Sequence, residues 1–76
     1  MQRRFYLSES VLASLKSLYT LAEVDLDDLF GSVTGVAKLP DYRFHIFIER
    51  FGIRAYVDCY YDRMNQQLIG ESVQRL

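Results

Sequence analysis

His45 is the only histidine in the chain and the side chain best suited to move a proton near neutral pH. General acid–base catalysis also needs a neighbouring group that orients the imidazole ring. The strand pairing derived below places Tyr56 opposite His45, with Arg43 and Asp58 nearby. A single histidine on a strand is more commonly a packing or surface residue than a catalyst. We therefore expect a protein that is not an enzyme and assign no catalytic residue.

Cys59 and an acidic cluster are the other groups that could attack a substrate or hold a metal ion. Cys59 is the only cysteine, which excludes a disulfide within the chain and leaves a Cys/His metal site without ligands. Its position in the strand pattern is on the buried side, where a thiol acts as a small hydrophobic group. Asp25, Asp27 and Asp28 lack the glycine and the distal glutamate of a calcium loop, so a solvated or helix-capping role is favoured. The sequence predicts no metal and no cofactor.

The stretch that must position His45 and Cys59 is residues 42–61, YRFHIFIERFGIRAYVDCYY. It alternates with a period of two through two segments and is interrupted at Gly52, a pattern that predicts an antiparallel hairpin. One side, here called the inner face, is apolar: Tyr42, Phe44, Ile46, Ile48, Ile53, Ala55, Val57 and Cys59. The other side, the outer face, mixes aromatic and charged residues: Arg43, His45, Phe47, Glu49, Arg54, Tyr56, Asp58 and Tyr60.

The register of this hairpin follows from matching the two apolar sets. Pairing Ile48 with Ile53 achieves the match and leaves a four-residue loop that ends at Gly52, where glycine tolerates a left-handed conformation. On the outer face the same register predicts three cross-strand contacts: Arg43 with Asp58, His45 with Tyr56, and Phe47 with Arg54.

A third strand over residues 66–74 is predicted after a second loop, in which Asn65 takes the left-handed conformation. Its register pairs Leu68 with Cys59 on the inner face. Gly70 is a candidate site for a β-bulge. The residues expected to project outward are Ile69 and Val73.

The N-terminal half contains a helix that begins at Ser8. The Ser8 hydroxyl can cap the first turn, and Glu9 complements the helix dipole. Leu7 stands at the preceding staple position. We expect the helix to end near Ala22. Its apolar stripe, which also continues into the next segment, has helical spacing: Leu12, Leu15, Tyr19, Ala22, Leu26 and Leu29.

Three further segments complete the chain. A second short helix is predicted from Asp25 to about Phe30, stopped by Gly31. Residues 3–7 form an edge strand or an extended arm, and residues 32–38 form a weak strand or a loop. The 76 residues make one domain. We predict the α+β class, with an N-terminal helix plus a short second helical segment packed on a three- to four-stranded antiparallel β-meander.

The outer face is the predicted partner-binding surface, because the helix is needed to cover the inner one. The residues assigned to it are Arg43, His45, Phe47, Arg54, Tyr56, Tyr60 and Ile69. Contiguous apolar surface of this kind is typical of an interaction site, and we expect a homodimer or a complex with another protein. The alternative is that scattered surface tyrosines need no explanation.

Nucleic-acid binding by the same face is the rival interpretation, since aromatic residues flanked by arginines suit base stacking. The net charge of −1 gives little attraction to phosphates. If residues 3–7 form a strand, the order of strand, helices and three strands resembles the small ribosome-dependent toxins of the RelE/ParE type. The resemblance implies RNA cleavage, although most of the basic residues that those toxins use have no counterpart here.

A cytoplasmic setting is expected from the single cysteine and from a start that lacks the apolar core of a signal peptide. The apolar runs are also far too short to cross a membrane, so no membrane association is predicted.

Overall fold

The structure is a computed structural model that describes residues 5–76. The predicted α+β class is confirmed: two helices pack on one sheet. The elements in chain order are β1 Phe5–Leu7, α1 Glu9–Tyr19, α2 Leu26–Gly31, β2 Val33–Leu39, β3 Arg43–Arg50, β4 Ile53–Asp62 and β5 Gln67–Arg75. The sheet has five strands in the order β1-β5-β4-β3-β2, with β1 parallel to β5 and the other pairs antiparallel. It is therefore a meander of four strands extended by one short parallel edge strand.

Helix α1 begins as predicted, because Ser8 is extended and its hydroxyl accepts a hydrogen bond from the Val11 amide at 3.3 Å. The predicted end near Ala22 is wrong by three residues. Thr20 takes a left-handed conformation with φ of 54°, which stops the helix at Tyr19. The apolar spacing continues past Tyr19 to Ala22, but the chain has already left the helix at Thr20.

Helix α2 begins after Asp25, whose carboxylate accepts a hydrogen bond from the Asp27 amide at 2.8 Å. Its predicted position is confirmed to within one residue. Gly31 is the last helical residue and does not adopt a positive φ. Ser32 caps the end instead, by donating its hydroxyl to the carbonyl of Asp28 at 2.9 Å.

The core lies between the two helices and the inner face of the sheet. The Tyr19 hydroxyl donates to the Ile53 carbonyl at 3.0 Å and holds the end of α1 to the start of β4. The buried apolar residues are Leu7, Val11, Leu15, Tyr19, Leu29, Ile46, Ile48, Ala55, Val57 and Cys59. The members of this set in β3 and β4 all have the inner phase that the alternation predicts.

The predicted register of β3 and β4 is wrong by two residues. Ile48 pairs with Ala55 rather than with Ile53, and the loop contains only Phe51 and Gly52. Both have positive φ, 54° and 76°, which is the geometry that the twist of a two-residue hairpin favours. The prediction chose the four-residue loop by matching the apolar sets and did not consider a two-residue loop, which requires the positive φ at Phe51 that a non-glycine residue disfavours. A slip of two leaves every side chain on its predicted face.

The loop between β4 and β5 also differs from the prediction. The left-handed residue is Gln66, with φ of 51°, and not Asn65. Leu68 consequently pairs with Tyr61 instead of Cys59, again a slip of two. Leu68 keeps the predicted inner phase and packs against the core.

A β-bulge follows Gly70, as predicted, and Glu71 is its extra residue before Ser72. The bulge reverses the alternation in the rest of β5. Val73 therefore pairs with Val57 and packs against the core, so its predicted outward orientation is wrong.

The two segments that the sequence left open, residues 3–7 and residues 32–38, both contain strands. Within residues 3–7, Phe5–Leu7 form β1, while Arg3 and Arg4 lie outside the described residues. Residues 32–38 contribute most of β2. Tyr42, expected on the inner face, belongs to the turn before β3 with φ of 60° and is exposed.

Candidate protein-binding surface on the outer sheet face

The outer face of the sheet carries no helix within the described part of the chain. The buried residues of α1 and α2 form one cluster with the inner-face residues, so both helices lie on the inner side. An antiparallel sheet commonly leaves one face solvated, and that face is then normally polar. Here the centre of the solvated face is aromatic.

Three rings, His45, Phe47 and Tyr56, form what is here called the aromatic cluster. His45 stacks on Tyr56 with ring centroids 4.2 Å apart and an interplanar angle of 29°. The Phe47 ring lies 5.7 Å from Tyr56 and 6.3 Å from His45, edge-on to the latter. All three side chains are half-buried by one another without a covering element. Each such contact contributes roughly 0.5–1.5 kcal/mol beyond area burial.

A charged network borders the aromatic cluster. Arg43 Nη2 lies 2.9 Å from a Glu71 carboxylate oxygen and 3.3 Å from Asp58 Oδ1. Hydrogen bonding to Glu71 and then the adjacent Asp58 raise the pKa of the Arg43 guanidinium. Asp58 Oδ1 is buried and accepts no hydrogen bond from any described residue, although His45 Nε2 is also only 3.7 Å away. This oxygen therefore faces Arg43 as an ion-pair partner and not as a hydrogen-bond acceptor.

Glu71 was not among the predicted site residues. Alternation after Ile69 already gives Glu71 the phase of the outer residues. The bulge makes it the extra residue of β5 and directs its carboxylate to Arg43. The sequence signal that could have found it was its alternation with Ile69, the position two residues earlier.

The corrected register changes two of the predicted contacts from direct to diagonal. His45 now lies opposite Asp58, and Arg43 opposite Tyr60. The Arg43–Asp58 ion pair and the His45–Tyr56 stack nevertheless form, because diagonal neighbours remain within reach of long and aromatic side chains. The predicted contact of Phe47 with Arg54 is replaced by direct pairing of Phe47 with Tyr56.

Tyr60 and Ile69 extend the surface toward β5. They are direct cross-strand partners, and both are half-buried. Arg54 is exposed and pairs with Glu49 near the β3–β4 turn. Six of the seven predicted residues thus lie in one contiguous set of pairs, and Arg54 lies at its margin.

Cys59 faces the core and is fully buried. Burial first, and the negative charge of Asp58 second, raise the pKa of its thiol to about 12. A thiol in this state is protonated and inaccessible, which is unsuited to nucleophilic attack. In residues 5–76 no group of three or more His, Cys, Asp or Glu side chains could hold a metal ion.

Sequence reasoning missed a second feature, on the inner side. Phe30, Val36 and Tyr61 are exposed there, beside cavities of about 320 and 340 Å³. The prediction had assumed that the helices cover this face completely.

No helix in the described residues is long and apolar enough to cross a membrane. Comparison of the chain with protein-family models, with curated proteins and with solved structures found no match.

Proposed function

We propose that this chain is a small protein-interaction module that is not an enzyme and that forms a homodimer through the outer face of its sheet. The observation that carries the proposal is the aromatic cluster on a face that no described element covers. Aromatic residues and arginine are enriched in the buried centres of protein interfaces.

The outer face has the organisation that a dimer interface needs. Two apolar pairs, Phe47 with Tyr56 and Tyr60 with Ile69, lie on either side of the Arg43 and Asp58 charges. In a two-fold dimer the same surface meets itself, so both signs of charge must be present on it. Arg43 and Asp58 supply them and are already positioned by their mutual contact.

Nucleic acid is less well suited to this face. The two arginines on it, Arg43 and Arg54, are accompanied by three carboxylates, those of Glu49, Asp58 and Glu71. Arg43 is already paired with two of the three. A phosphate backbone would have to break these pairs without a surplus of positive charge to attract it.

A cytoplasmic setting is part of the proposal. It rests on the unpaired, buried Cys59, since free thiols are typical of reducing compartments.

Light scattering of the wild type and of a Phe47→Asp, Tyr56→Asp double variant tests the dimer. We expect a dimer for the wild type and a folded monomer for the variant, because two buried carboxylates cannot share one apolar interface. Met64→Asp is the matched control, since Met64 is 94% exposed in the β4–β5 loop. It should remain dimeric.

A monomeric wild type would contradict self-association. If the double variant fails to fold by circular dichroism, the single Ile69→Asp variant replaces it, and a persistent dimer in that variant moves the interface elsewhere. Titration with a fluorescent single-stranded RNA between about 50 and 200 mM salt separates the rival function, because phosphate contacts weaken steeply over that range.

A further inference from the structure

Asp58 contains a buried acceptor atom at the centre of the outer face. Its Oδ1 atom accepts no hydrogen bond from residues 5–76. Buried acceptors are normally satisfied, because an unmade hydrogen bond leaves the desolvation of the group uncompensated. Since the atom is buried, a hydrogen bond to it has to come from a side chain that already lies beside it.

Two nitrogen donors lie beside this oxygen, and they differ in what else they bind. Arg43 Nη2 is 3.3 Å away but donates to Glu71 at 2.9 Å. His45 Nε2 is 3.7 Å away, just beyond hydrogen-bonding distance. The His45 ring lies there stacked on Tyr56, with 4.2 Å between the ring centroids. A movement of about 0.5–1 Å would therefore bring the His45 donor onto Asp58.

Protonation determines whether His45 always has a hydrogen to donate from Nε2. In the neutral imidazole only one of the two ring nitrogens carries a hydrogen, whereas in the imidazolium both do. The imidazolium also adds a positive charge opposite the Asp58 carboxylate, which makes the hydrogen bond charge-assisted. Histidine is the side chain that ordinarily makes this change between about pH 5 and 8.

The titratable and charged groups around His45 come from three strands. Asp58 and the phenol of Tyr56 face it from β4, Arg43 faces it from β3, and Glu71 of β5 reaches this group through Arg43. Strand β2 adds no charge on this side. Its outer residues are Gly35, Ala37 and Leu39. Two carboxylates thus accompany one guanidinium, so the group has a net negative charge with a neutral His45 and none with a protonated one.

We propose that His45 is a pH switch of the outer-face dimer and that its protonation strengthens the association. The inference rests on the proposed function, since it concerns the regulation of the same surface. In a two-fold dimer each copy presents the same charges to the other. With a neutral His45, two surfaces of net negative charge approach each other, and protonation removes that repulsion.

The burial of His45 and Asp58 in the single chain decides the direction of the effect. Their side chains are already only 25% and 27% exposed, so most of the desolvation cost of the charged pair is present before association. Association then removes the remaining water, and ion pairs are screened less when they are buried. The attraction between the imidazolium and Asp58 is therefore stronger in the dimer than in the monomer.

The dissociation constant of the dimer at about pH 6 and about pH 8 tests the switch, measured by analytical ultracentrifugation at constant ionic strength. We expect the wild-type constant to be lower at the acidic pH by about fivefold or more. His45→Gln keeps a polar side chain but cannot gain a charge, so its constant should change by less than about twofold. His45 is the only histidine in the chain, and the difference between the two proteins therefore isolates its titration.

Asp58→Asn keeps the histidine and removes its partner. Protonation then adds an imidazolium beside Arg43 without the intervening carboxylate charge, so the pH dependence should reverse and the dimer should weaken at the acidic pH. Arg54→Gln, at the margin of the same surface, is the matched control and should keep the wild-type dependence. Circular dichroism at both pH values checks that each variant is folded. If His45→Gln does not fold or dimerise, the sign of the dependence in Asp58→Asn decides.

The contrary outcomes separate the switch from the dimer. A wild-type dimer with equal dissociation constants at the two pH values, or with tighter association at the alkaline one, overturns the switch and leaves the dimer intact. The same conclusion follows if His45→Gln keeps the wild-type dependence or if Asp58→Asn does not reverse it. A chain that is monomeric at both pH values overturns the dimer and the switch together.

Discussion

The two faces of the sheet come from the same strands but are organised by different interactions. On the inner face, Val57 and Ile48 are excluded from water by helices that also contribute Leu15 and Val11. On the outer face, His45, Phe47 and Tyr56 shield one another, and ion pairs hold the border. The inner face depends on the packing of separate elements, whereas the outer face depends on cross-strand neighbours within the sheet.

This difference predicts unequal sensitivity to substitution. A closely packed interior responds to a change of one methyl group, while exposed pairs contribute little each. The difference also suggests unequal roles for the two faces. Substitutions on the outer face can adapt it to a partner with little loss in the free energy of unfolding, because its exposed pairs contribute little to that free energy.

Gly70→Ala is the strongest test of the inner face. A Cβ at this position would lie 2.8 Å from Leu7 Cδ2 and 3.1 Å from Val57 Cγ1. We expect a loss of about 1–3 kcal/mol in the free energy of unfolding, measured with urea. Gly35→Ala is the control, since no atom lies within 4 Å of its added Cβ. Equal stability of the two variants would mean that β1 does not pack on β5 as described.

Alkaline pH should lower the free energy of unfolding through Cys59, which is buried on the inner face. Below the ordinary thiol pKa of 9.0 both folded and unfolded chains keep the proton, and the stability contribution is complete. Between 9.0 and about 12 only the unfolded chain releases it, so the free energy of unfolding falls by up to about 1.4 kcal/mol per pH unit.

The measurement is the pH dependence of urea unfolding for the wild type minus that of Cys59→Ala, because the difference removes other titrating groups. Alkylation by iodoacetamide should occur only after unfolding. Rapid alkylation of the native chain would place the thiol on an accessible surface and remove the distinction between the faces.

Arg43→Gln tests the outer face and should have the smallest effect. The Arg43 pairs with Glu71 and Asp58 are partly exposed, so we expect a loss below about 1 kcal/mol that decreases as salt is added. Arg54→Gln, at the margin of the surface, is the matched control and should be neutral. A loss comparable to that of Gly70→Ala would show that the charged network stabilises the fold as much as packing does.

The faces of the strands were predictable because alternation needs only local information. His45 and Cys59 lie on opposite faces as predicted, and they stay there despite the change of register. The register was not predictable, because the choice between Ile48–Ile53 and Ile48–Ala55 depends on accepting a strained Phe51 in the turn. That cost is offset only when pairing along the whole hairpin is counted.

The candidate surface was largely predictable for the same reason, with Glu71 as the exception. The exposed apolar surface beside Val36 was not. Its exposure depends on where Thr20 ends α1 and on how much of the sheet the two helices reach, and neither quantity has a local signal in the sequence.

The sequence by itself determined the two helices, the strands β3, β4 and β5, the faces of β3 and β4, and the caps at Ser8 and Asp25, because alternation, helical spacing and side-chain capping act between near neighbours. Only the tertiary structure decided the pairing of β1 with β5, the inward turn of Val73 and the exposure of the apolar surface beside Val36. These features depend on contacts between segments distant in the chain, where loop closure, a bulge and the reach of the helices compete and no single residue type fixes the outcome.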